Sequence, residues 1–63
     1  MSLRQNLERL RKQKDMTQAE LAHRMGISRS LVCQIERGTR DSYPKFNKTA
    51  ALVLGVNLEE LLN

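Results

Sequence analysis

The chain has 63 residues, 40% hydrophobic and 29% charged, with a formal net charge of +4. So short a chain buries only about 60% of the surface its unfolded form exposes, enough for one small core but not for the concave site of roughly 300 Å³ or more that an enzyme uses. A single cysteine and a single histidine exclude an internal disulfide and a metal cluster, and no apolar run approaches the roughly 18 residues of a membrane span.

Absence of cysteine pairs fits a reducing, cytoplasmic setting, and no signal-peptide pattern stands at the start. The basic charge is unevenly placed. Every Lys and Arg lies at or before Lys48, whereas the last fifteen residues carry only Glu59 and Glu60. One side of the molecule is therefore suited to a polyanion and the other is not.

Leu3, Leu7 and Leu10 recur at i, i+4 and i+7 among charged residues and predict a first helix ending near Lys14. Thr17 followed by Glu20 is a capping box that opens a second helix, with Leu21, Ala22 and Met25 inward and Gly26 ending it. Ser28 caps a third helix running to about Arg37 and closed by Gly38. The stretch TRDSYPK reads as a loop. Phe46, Ala50, Val53 and Leu54 then mark a fourth helix stopped at Gly55, and Asn57 caps a short fifth, LEELL. No strand pattern is present. Helices this short need each other's faces to be stable, so residues 1–63 read as one all-α domain of five helices.

The second and third helices are separated by a few residues around Gly26, which forces the steep crossing of a helix-turn-helix. At about 100° per residue, Val32 and Ile35 of the third helix face inward with Leu21, Met25 and Ile27. Ser30, Gln34 and Arg37 cluster on the opposite side, Cys33 flanks them, and Arg29 lies in the first turn. A merely solvated face usually carries Glu and Lys pairs. This one carries groups that address base edges: Arg for guanine O6 and N7, Gln for adenine N6 and N7, Ser for either.

Residues 17–38, TQAELAHRMGISRSLVCQIERG, resemble the Cro/C1-type helix-turn-helix family, which includes the lambdoid phage repressors. The likeness extends to the flanks, LRQNLERLRKQKDMTQ and AALVLGVNLEELL, and so covers essentially the whole chain. It implies a compact five-helix, lambda-repressor-like DNA-binding domain. By that matching Arg29, Ser30 and Gln34 fall at base-contacting positions, with Ser28 and Cys33 flanking. Gln18 is implied to hold a phosphate and brace the first recognition residue. Arg11 and Glu36 are implied to form a salt bridge, which we read as structural. Further phosphate candidates are Arg37, Arg40, Lys45 and Asn47. Arg4, Arg9, Lys12 and Lys14 read as solvated, and His23 as lying on the exposed face of the second helix. Cys33 has no resolving thiol and reads as a small neighbour of the base-reading stripe.

The expected function is that of a prokaryotic or phage-encoded transcriptional regulator, most often a repressor, binding double-stranded operator DNA. One such module contacts too few base pairs for useful discrimination. A homodimer on half-sites about one DNA turn apart is therefore expected, joined around Val56, Leu58 and Leu62. The alternatives are an antitoxin or restriction–modification controller of the same fold, or a protein-binding adaptor that has lost DNA affinity. An adaptor should carry an apolar or acidic outer stripe, and Leu31 is the one apolar residue placed to protrude. No acid–base pair, partnered nucleophile or metal cluster can be assembled, so no enzyme, cofactor, metal or small-molecule ligand is expected.

Overall fold

A computed structural model describes residues 2–63 as five helices: α1 (Leu3–Gln13), α2 (Gln18–Met25), α3 (Arg29–Arg37), α4 (Pro44–Leu54) and α5 (Leu58–Leu62). Their boundaries follow local chemistry. Ser2 and Gln5 close a capping box at the start of α1, and Thr17 and Glu20 close another at α2. Ser28 Oγ accepts the Leu31 N–H at 3.1 Å to start α3. Pro44 opens α4, where its missing N–H costs nothing.

The turn between α2 and α3 depends on Gly26, which sits at φ +73°, a conformation that costs an L side chain about 1–2 kcal/mol. The Ile27 N–H then bonds back to the Ala22 carbonyl at 3.0 Å, which closes the turn and brings α3 onto α2. Buried Ala22 lies on the inner face of α2, and a larger side chain there would have no room. α1 ends differently, with Asp15 at φ 57° and the Met16 N–H bonded to the Arg11 carbonyl at 3.1 Å.

Packing joins α2 to α3 and α4, α1 to α3 and α5, and α4 to α5. Leu7, Leu21, Val32, Ile35, Leu54 and Leu61 are fully buried at the centre, with Leu10, Phe46, Ala50 and Ala51 around them. Two sequence expectations need correction. Asn57 stands at the start of α5 but makes no side-chain cap; its carbonyl takes the Glu60 N–H at 3.0 Å instead, as a one-turn helix allows. Leu31 does not protrude, because the rotation of α3 lays it half-buried against the same cluster.

The α2 capping box titrates. Glu20 accepts the Thr17 N–H at 3.1 Å while Thr17 Oγ1 accepts the Glu20 N–H at 3.0 Å. The bond from the Thr17 amide favours the carboxylate and lowers its pKa below the usual 4.5. A lowered folded-state value contributes stability above the unfolded value, and that contribution disappears as pH falls through the folded one. Glu20→Gln should therefore melt below the wild type at neutral pH, and the gap should close on acidification below about 4. Thermal unfolding followed by circular dichroism at both pH values checks this, and a gap independent of pH would contradict it.

Candidate nucleic-acid interface

The outer face of α3 carries Arg29 and Ser30, both exposed, with half-buried Cys33 and Gln34 behind them and exposed Arg37 at the far end. The Arg29 side chain makes no hydrogen bond among the described residues. Gln34 Nε2 donates to Ser30 Oγ at 3.0 Å, one helical turn back, so these two polar groups form one unit. The Gln34 carbonyl is also occupied, accepting the Thr39 N–H at 3.0 Å and the Thr39 hydroxyl at 3.2 Å. Ser28, exposed at the entry to the helix, is committed to its cap.

Behind this face, α3 is fixed by a buried polar cluster. Arg11 Nε and Nη2 donate to the two oxygens of Glu36 at 2.8 and 3.0 Å, a bidentate pair whose side chains are 8% and 2% exposed. Arg11 Nη1 donates to the Met16 carbonyl at 2.7 Å, which the left-handed Asp15 helps to present. Glu36 Oε1 accepts a third bond from Gln18 Nε2 at 3.0 Å. The cluster thus ties α1, the α1–α2 turn, the start of α2 and the end of α3 to one carboxylate. That same carboxylate, by its hydrogen bonds, raises the Arg11 pKa above its ordinary value.

Gln18 was expected to brace the first recognition residue. Its amide instead turns to Glu36, at the opposite end of α3 from Arg29. A buried carboxylate offers a stronger, charge-assisted bond than a solvated side chain does. Gln18 remains at the start of α2, where backbone N–H groups have no intrahelical partner and can hold a phosphate.

Arg4, expected to be solvated, has a structural contact. Its Nη1 donates to the Arg37 carbonyl at 3.1 Å, capping the C-terminal end of α3 with a positive charge. Gly38 follows at φ +81°, and the Arg4 guanidinium occupies the space a side chain there would need. Arg4 and Arg40 line one groove with Ser2 and Ser42, between the start of α1 and the loop after α3. Lys45 is exposed in the first turn of α4, and Asn47 is half-buried with its Oδ1 unpartnered among the described residues. Two cations therefore follow Arg37, Arg40 in the loop beside Asp41 and Lys45 in α4. His23 is exposed on α2, and Cys33 is a free thiol.

In the last two helices, Leu52 of α4 is 81% exposed and Leu62 of α5 is 47% exposed. Val56 and Leu58 are half-buried against the core. No helix among the described residues is long and apolar enough to cross a membrane.

Two packed helices joined by a short glycine turn, a polar outer stripe on the second and a buried polar support behind it define a helix-turn-helix DNA-binding domain. The Cro/C1-type helix-turn-helix family model matches residues 7–61, and the chain belongs to that family. Among solved structures it resembles the restriction-modification controller protein C.AhdI from Aeromonas hydrophila, with 33% identity, 95% of this chain and 91% of that one covered, and a TM-score of 0.91. It also resembles the N-terminal DNA binding domain of SinR from Bacillus subtilis, with 29% identity, coverage of 97% and 90%, and a TM-score of 0.88. A structure of SinR, described as a master regulator for biofilm formation, in complex with DNA matches at 29% identity, coverage of 97% and 98%, and a TM-score of 0.89. No significant match is found among curated proteins. The protein is a DNA-binding transcriptional regulator of the helix-turn-helix class.

Proposed function

We propose that the protein is a sequence-specific repressor that binds operator DNA as a homodimer, with α3 in the major groove and α2 crossing the backbone. The observation that carries this reading is the stripe of Arg29, Ser30 and Gln34, presented on a helix whose inner face is apolar and whose end is held by Arg11 and Glu36. Arg29, Ser30 and Gln34 address bases, with Ser28 and Cys33 beside them. Gln18, Arg37, Arg40, Lys45 and Asn47 hold phosphates and set the register. Residues 1–63 act as one domain, in the cytoplasm.

Exposed Leu52 and Leu62, both within residues 49–63, which carry no Lys or Arg, support dimerisation there. A dimer also supplies the second half-site that so small a module needs. The likeness to C.AhdI over 95% of this chain supports a second reading, control of a restriction–modification system by the same DNA-binding act.

Selection of bound sequences from a random duplex pool, followed by footprinting, tests the proposal. A two-fold-related site with centres about 10 base pairs apart is expected. Arg29→Ala should cost about 1–3 kcal/mol and relax preference at one base pair, leaving the others unchanged. An unaltered preference profile would remove α3 as the reading helix.

A further inference from the structure

We infer that Ser30 is a positioning residue for Gln34 and that the two together select an adenine. This rests on the proposed placement of α3 in the major groove and assigns what one part of its outer face reads. The observation is the bond from Gln34 Nε2 to Ser30 Oγ at 3.0 Å, across one turn of an exposed helical face.

The valences of the pair decide the base. A glutamine amide has two N–H hydrogens and one carbonyl oxygen. Giving one hydrogen to Ser30 leaves one N–H donor and Oε1 as an acceptor. Adenine presents an acceptor at N7 and a donor at N6 in the major groove, and so matches both. Guanine presents two acceptors, cytosine one donor, and thymine one acceptor beside a methyl group, so none of these satisfies both groups of the amide. An unbraced glutamine could rotate its amide and exchange donor for acceptor. With Oγ accepting from Nε2, as the structure has it, Ser30 holds the amide nitrogen on its own side and leaves Oε1 turned outward.

The backbone under this pair is fixed as well. The Gln34 carbonyl accepts both the N–H and the hydroxyl of Thr39. Neighbouring Ile35 and Glu36 are buried, in the core and on Arg11 respectively. Gln34 thus stands on a rigid base, and only its side-chain torsions needed restraint. A single serine hydroxyl one turn away supplies it. Ser30 thereby addresses bases through Gln34, a narrower role than its place in the stripe alone gives it.

The test uses the duplex that the wild-type protein selects from a random pool, with each base pair of the half-site changed in turn. Gln34→Ala should lose preference at a single A·T pair by about 5- to 150-fold, the range for one bidentate contact. Ser30→Ala should lose most of that preference at the same pair and at no other, with the salt dependence and melting temperature unchanged. Ser30→Thr, which keeps a hydroxyl at that position, should restore it. Placing 7-deazaadenine at that pair should weaken the wild type and leave Gln34→Ala unaffected. Full adenine preference in Ser30→Ala, loss at a different base pair, or a G·C pair at the position Gln34 reads would each overturn the inference while leaving DNA reading by α3 intact. A wild-type protein that selects no sequence would overturn the proposed function itself, and the inference with it.

Discussion

Glu36→Ala is expected to lower the stability of the domain by about 3–5 kcal/mol, the usual result of removing one partner from a buried ion pair. A chain of 63 residues has only about 3–9 kcal/mol in total, so much of the population should unfold at physiological temperature. The size of the effect comes from what remains behind. Arg11 is 7% exposed and already bonded to the Met16 carbonyl, and without Glu36 its guanidinium has no counter-charge. It cannot relieve this by losing its proton, because arginine stays charged at any workable pH. Gln18 also loses its acceptor. Because the Arg11 pKa is raised, the pair's contribution from this side persists through the whole working pH range and is lost only in strong alkali. Urea unfolding measures the loss. A change below about 1 kcal/mol would place the bridge among ordinary exposed pairs.

The second large effect is on binding. Arg37, Arg40 and Lys45 are the cations among the phosphate candidates, and a dimer doubles them to six. Each neutralised phosphate contributes about −0.9 to the slope of log affinity against log salt, so a slope near −5 is expected. Between 50 and 200 mM salt, affinity for any duplex should fall by about three orders of magnitude. Arg40→Ala or Lys45→Ala should reduce the slope by about one per subunit and weaken all sequences alike. Fluorescence anisotropy across a salt series gives the slope directly. Affinity that barely changes with salt would mean that the basic side faces something other than a phosphate backbone.

The helix-turn-helix pair was legible because its signals are local. Thr17, Glu20, Gly26, Ser28 and Gly38 each act within one turn of the chain. Arg11 and Glu36 came from the family likeness, since nothing in spacing alone joins residues 25 apart. Arg4, which caps α3 from 33 residues away, carried no such signal and looked like any surface arginine. Gln18 was assigned to the correct helix start, but its partner depends on where α3 ends in space. Leu52 sits within an apolar run, LVL, in which only the packing of α4 against α2 and α5 decides which leucine is left outside.

Asn6 was equally silent in the sequence. It is 1% exposed, and its amide donates to the Leu61 carbonyl at 3.0 Å, joining α1 to α5 across 55 positions. A buried amide without its acceptor is costly, so α1 carries a polar group that waits for α5, 55 positions later, to be made. Until Leu61 emerges, α1 lacks both that acceptor and the leucine that fills the core beside it. The helix pair that meets DNA is complete many residues earlier, but its support is not. Reading competence therefore arrives only once α5 has joined α1, and not helix by helix.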